Sequence, residues 1–159
     1  MASTLPDEVC CPPLDIDRWD GQSHEWENKL FVKTRVRCFL YIPINYGSKI
    51  RKVVHRTDAA GVAIPEGLIL SDQTSPWRMD LYFAVERGVP GIQNTTLSGQ
   101  MVSKVYEAPY KEAGRCHKQF VQWMDRRGSI PQRLFTWYAT CPACAKKQGK
   151  NLMVYLALT

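Results

Sequence analysis

One half of this chain can be laid on the other, and that constrains its fold more than any single motif. Pro43 falls on Pro109, Ile64-Pro65 on Ile130-Pro131 and Leu68 on Leu134, each pair 66 positions apart. Tyr82-Phe83-Ala84-Val85 likewise falls on Tyr155-Leu156-Ala157-Leu158, 73 positions apart. The pattern of elements repeats with the identities. Residues 32–44 are β-branched and aromatic, as in strands, and 47–60 read as a helix with Ser48 as its N-cap. Residues 68–70 and 79–85 read as two further strands. The order then returns: a strand over 100–106, a helix over 111–127, and closing strands over 134–140 and 152–158. That second helix carries Ala113, Cys116, Phe120 and Met124 on one stripe, and Gly128 ends it. Two fused strand-helix-strand-strand units predict an α+β fold with a curved antiparallel sheet.

The growth of the offset from 66 to 73 locates an insertion. The second hairpin is longer by seven residues, and that extra length holds Cys141-Pro142-Ala143-Cys144 and the lysines behind it. The organisation expected is an irregular N-terminal arm over 1–30, pinned by Trp19 and Trp26, and a domain over 31–159. Within it, 31–90 form the first repeat and 98–159 the second.

Bulk properties narrow the class. A chain of 159 residues and 18.2 kDa suits one domain. It has no run of about 18 apolar residues, and its start lacks the basic and apolar parts of a signal peptide. A cytoplasmic location is the expectation, with no membrane partner. The net charge is +6, and the densest basic run, 49–56, has its apolar residues at helical spacing. That reads as a solvated helix face. No nucleic-acid-binding signature accompanies it, so nucleic acid is not expected as a partner.

Tyr106-Glu107-Ala108-Pro109-Tyr110-Lys111-Glu112 runs into an amphipathic helix that contains a Trp and ends in Asp125-Arg126-Arg127-Gly128. This resembles the GyrI-like small-molecule-binding domains, in which a strand ending in Tyr-x-Gly-Pro-Tyr enters such a helix. Those domains share their duplicated architecture with the effector-binding modules of multidrug regulators and with SOUL-type haem-binding proteins. The whole chain, with "CCPP" early and "TCPACAKK" late, also resembles small stand-alone bacterial proteins labelled as hydrolases. The resemblance implies two helices on one face of the sheet and a ligand cleft on the other, where planar or cationic organic molecules bind. Some stand-alone relatives hydrolyse strained electrophilic compounds and others only bind. Family members often carry a Glu at the start of the last strand, where this chain has Met153.

Strand alternation then suggests which side chains face the cleft. If Leu81, Phe83 and Val85 pack under one helix, and Val154, Leu156 and Leu158 under the other, the open face carries Asp80, Tyr82, Met153 and Tyr155. Asp80 falls opposite Met153 in the repeat, so the first half supplies the acid that the second lacks. A carboxylate among aromatics can bind a cation or activate water. Asp80, Tyr82 and Glu107 are the catalytic candidates, and Tyr106, Trp137, Met153, Tyr155 and Trp77 the ligand contacts. His117, beside Cys116 on the second helix, reads as the polar edge of a core stripe.

Cys141 and Cys144 have the spacing of half a tetrahedral zinc site. Cys10 and Cys11 would complete it if the arm crosses to the second hairpin. A redox or nucleophilic thiol near Lys146 and Lys147 is a second reading, and structural thiols at a turn a third. The expected function is therefore binding of a small organic ligand with hydrolase-type chemistry. The alternatives are a non-catalytic ligand or haem binder and a zinc- or thiol-dependent protein, with zinc the one possible metal cofactor.

Overall fold

The structure is a computed structural model that describes residues 13–140, 144–146, 149 and 151–159. The chain runs through helix α1 (Ile16–Trp19), strands β1 (Gln22–Phe39) and β2 (Ile42–Pro43), and helix α2 (Tyr46–Ala59). Strands β3 (Ile69–Ser75), β4 (Arg78–Ala84) and β5 (Gln93–Glu107) follow. Helix α3 (Ala113–Arg126) and strands β6 (Arg133–Tyr138) and β7 (Leu152–Leu158) end it. Six strands lie in the order β1-β4-β3-β6-β7-β5, and β5 pairs back onto β1, so the antiparallel sheet closes on itself.

Closure gives the sheet an inside. One buried cluster draws members from all six strands: Phe31, Leu70, Tyr82, Met101, Phe135 and Val154 among them. In a closed ring, only the interior can be reached by every strand. The short helix α1 stops one end. Asp15 caps it by accepting from the Arg18 N–H, and Trp19 enters the barrel with its ring edge-on to Trp137 at 5.2 Å. The indole N–H of Trp19 donates to Glu66 at 3.2 Å, so its one polar atom is satisfied.

Both long helices pack on the outside. Val53 of α2 joins Val32, Val36, Leu81 and Phe83 of β1 and β4. Cys116, Phe120 and Met124 of α3 cover Val102, Met153, Tyr155 and Ala157 of β5 and β7. Those three, with the partly buried Ala113, are the stripe read from the sequence. Truncating Phe120, which is fully buried, to Ala would cost about 3–5 kcal/mol through lost transfer and a cavity. Beyond α3, Gly128 adopts φ 71° and Ser129 N–H donates to the Met124 carbonyl at 3.0 Å.

Three expectations are corrected here. The sheet face opposite the helices is not an open cleft: closure turns it into a filled barrel. Residues 22–30, expected within an irregular arm, are the first part of β1, which pairs with β5 from Gln22. Their pattern is obscured by a register shift between Trp26 and Lys29, with Asn28 at φ 49°. The cap of α2 is not Ser48. Asn45 stands at the N-cap and makes no cap bond, because its side-chain oxygen accepts from Arg37 N–H at 2.9 Å.

Candidate active site

The cleft lies on the outer face, where β3 meets β6. Ser71 and Thr136 are the single register pair between those strands among the described residues. The strands part beyond it, and the opening between the β1–β2 turn and α3 has a volume of about 850 Å³, a size suited to a drug-like molecule. Ser71, Thr136 and Met79 lie along its floor. Ala113, Gly114 and His117 of α3 form one wall, backed by Tyr138 and Tyr155, and Tyr41 stands at the opposite rim. Alternation explains the grouping. In β6, Phe135 and Trp137 point into the barrel, so Thr136 and Tyr138 must point out.

Its chemistry combines hydroxyls with an ion pair, Arg133 to Asp72 at 2.7 Å. Burial pushes the phenol of Tyr46 up to about 12, although the neighbouring Ser71 hydroxyl pulls the other way. Burial also raises Tyr138 and Tyr155. These groups stay protonated near neutrality and act as hydrogen-bond donors rather than bases. Tyr155 already donates to the Ala113 carbonyl at 2.7 Å, which fixes the start of α3 over β7. Ser71 differs: its side-chain oxygen is buried and makes no hydrogen bond of acceptable geometry among the described residues. A buried hydroxyl left without a partner costs roughly 1–3 kcal/mol. His117 is exposed on the cleft wall, with its ring 6.1 Å from that of Tyr155.

The structure distributes the sequence candidates widely. Asp80 is buried and faces away from the cleft, ion-paired to Lys33 at 3.6 Å and Arg35 at 3.4 Å. Tyr82 shares its barrel-facing side, with Lys33 and Arg133 over its ring and its hydroxyl accepting from Arg133 at 3.0 Å. Arg133 also binds Asp72 at 2.7 Å. Asp72 and Arg133 also line the cleft, so this charged cluster borders it. Met153 lies fully buried under α3 rather than in an open face, while Tyr155 is under α3 and at the cleft.

The face assignment for β7 is therefore inverted. Val154 and Leu156 fill the barrel, and Met153, Tyr155 and Ala157 meet α3. Both faces of β7 are apolar, so alternation groups its residues without saying which group meets the helix.

Trp137 fills the barrel, and Trp77 is exposed at the β3–β4 turn, stacked edge-on with Phe39 at 5.8 Å. Tyr106 packs against Tyr155 at 5.6 Å, and Glu107 is exposed at the end of β5. Neither lines the cleft. Ser71, Thr136 and Tyr138 carried no sequence signal as site residues, since each is an ordinary residue on a short strand. Of the residues that do line the cleft, Tyr155 is a ligand contact expected from the sequence, and His117 is read there as the edge of a core stripe.

Cys10, Cys11 and Cys141 lie outside the described residues, and Cys144 is buried. Among the described residues, no group of three His, Cys, Asp or Glu side chains comes together as a metal site would require. No described helix is long and apolar enough to cross a membrane.

Comparison with known proteins adds the family. The family model described as "Bacterial hydrolase" matches residues 1–159, the whole chain. The chain belongs to the bacterial hydrolase family. Among solved structures, it is similar to the C-terminal domain of EcmrR, with a TM-score of 0.66 at 12% identity over 89% of this chain and 97% of that one. At that identity the likeness shows the fold, which is of the GyrI-like type that the Tyr106-to-Glu112 stretch implied. No curated protein matches the chain.

Proposed function

We propose that this bacterial hydrolase family member binds a small hydrophobic organic molecule in the outer cleft and hydrolyses an electrophilic bond in it. The observation that carries the reading is Ser71, a buried hydroxyl with only the Tyr46 phenol beside it and no well-formed hydrogen bond, lining a drug-sized opening. A ligand oxygen there would complete its hydrogen bonding. The family supports the hydrolytic part. The order strand, helix, strand, strand in each half supports descent of both from one unit.

In this reading, the oxygen of a water molecule forms a bond to the electrophilic carbon as His117 accepts the water's proton. The bond to the leaving oxygen breaks, and Ser71 donates a hydrogen bond to the oxygen that gains charge. Histidine suits the task because its imidazole can take up a proton from water and give it back. The role first expected of Asp80 passes to His117, because Asp80 is held by two cations and does not reach the cleft.

The activated ester p-nitrophenyl acetate serves as the probe. Release of nitrophenolate by the wild-type protein should fall roughly a hundredfold or more in His117→Gln. An unchanged rate in His117→Gln would remove His117 from the chemistry.

A further inference from the structure

The described residues carry one exposed apolar feature that neither the barrel nor the cleft explains. The β1–β2 hairpin turns through Leu40 and Tyr41, with Phe39 paired to Ile42. Phe39, Leu40, Tyr41, Ile42 and Ile44, and Trp77 stacked on Phe39, are each more than half exposed. Leu40 and Tyr41 also take φ of 48° and 71°. A two-residue hairpin turn of this kind favours Asn-Gly, since only such residues accept left-handed backbone cheaply. Two bulky apolar residues therefore occupy the tip against local preference, and they face outward. A local rule broken at the surface marks a site of function more often than of stability.

Charge identifies what the tip meets. Directly behind it, Arg37 and Arg78 are cross-strand partners, both exposed, and neither side chain is in an ion pair among the described residues. Like charges directly opposed destabilise a sheet unless an anion lies against them. The surrounding chain is one-signed. From Asn28 to Thr57 there are eight Lys and Arg residues and no Asp or Glu. A second copy of this chain is a poor occupant, because a twofold contact would set the same patch, with its arginines, against itself. An apolar tip ringed by unpaired arginines instead matches an anionic lipid surface: acyl chains accept the tip and headgroup phosphates the guanidinium groups.

We propose that the β1–β2 hairpin docks this protein onto anionic phospholipid, with Leu40 and Ile42 entering the interface and Arg37 and Arg78 contacting headgroups. The proposal is independent of the hydrolytic reading. It places the cleft beside the lipid, since Tyr41 belongs to both the tip and the cleft rim.

The test is sedimentation of the full chain with vesicles of phosphatidylcholine alone or mixed with phosphatidylglycerol. Binding should require phosphatidylglycerol and weaken with salt. Leu40→Ser should lower the partition coefficient roughly tenfold, and Arg37→Gln with Arg78→Gln roughly thirtyfold. Because every substituted side chain is exposed, unchanged circular dichroism is expected in each. Equal binding to both vesicle types, or none to either, would overturn the proposal. So would concentration-dependent self-association that Leu40→Ser abolishes, which would assign the tip to a second copy.

Discussion

Ser71 of β3 stands opposite Thr136 of β6, and among the described residues that one pair is the whole register between the two strands. Their other neighbours are joined over long stretches, β3 to β4 from Ile69 to Ser75 and β6 to β7 from Arg133 to Tyr138. The two halves of the barrel thus meet at a short seam here and along the long β1–β5 pairing on the other side. Where the seam opens, the outer face gains a concavity, and the cleft follows from the pairing.

Ser71→Ala separates function from stability. The hydroxyl makes no well-formed hydrogen bond and has only the Tyr46 phenol beside it, so its removal should change stability by no more than about 1 kcal/mol. Affinity for the hydrophobic dye 1-anilinonaphthalene-8-sulfonate should fall severalfold. Chemical denaturation and dye titration of the same variant check both, and a large loss of stability would assign the hydroxyl a structural role.

Gly114 offers a way to fill the cleft without disturbing the core. It is the second residue of α3, it lines the cleft, and a Cβ built on it meets nothing within 4 Å. Leucine is the better helix former by up to about 0.8 kcal/mol. Gly114→Leu should therefore keep or raise Tm while lowering dye affinity roughly tenfold or more. Undiminished affinity would place the dye elsewhere.

Asp80→Asn should behave as a structural variant. The carboxylate is buried at the barrel mouth beside Lys33 and Arg35, and its loss leaves two cations crowded without a counter-charge. A cost of about 1–3 kcal/mol in denaturant unfolding is expected. Dye affinity and ester hydrolysis should stay within twofold of wild type, a tolerance of about 0.4 kcal/mol. Abolished turnover at intact stability would restore Asp80 to the mechanism.

Alkali should unfold the protein in a defined window. Tyr46 and Tyr106 are raised by burial from the ordinary 10 to about 12. Their protonated forms are favoured in the folded state, so that contribution is complete below pH 10 and is lost as pH rises through about 12. Tyrosinate absorbance, followed together with circular dichroism, should show these phenols titrating late or with unfolding. Ionisation of every tyrosine near pH 10 without loss of structure would contradict their burial.

What the sequence conveyed depended on the range of the interactions involved. The apolar stripe of Cys116, Phe120 and Met124 is written at helical spacing and reappears as the face of α3. Leu81 and Phe83 were placed correctly under α2 by simple alternation. Barrel closure was not legible, because the pairing of β1 with β5 joins residues such as Gln22 and Ser103 that no local pattern links. Met153 and Trp137 were misplaced for a sharper reason. Alternation groups residues into faces but does not say which face is which, and in β6 and β7 both faces carry apolar or aromatic side chains, so core and cleft were exchanged. Ser71 carried no signal at all, since a single serine acquires meaning only from what surrounds it.

The central claim is that ligand occupies the outer cleft and meets Ser71. A crystal structure of the protein with bound 1-anilinonaphthalene-8-sulfonate tests it most directly. The account predicts the dye between α3 and the β1–β2 turn, with a sulfonate oxygen within hydrogen-bonding distance of Ser71 Oγ. Dye bound inside the barrel beside Tyr82, or on the exposed hairpin with the cleft empty, would contradict it.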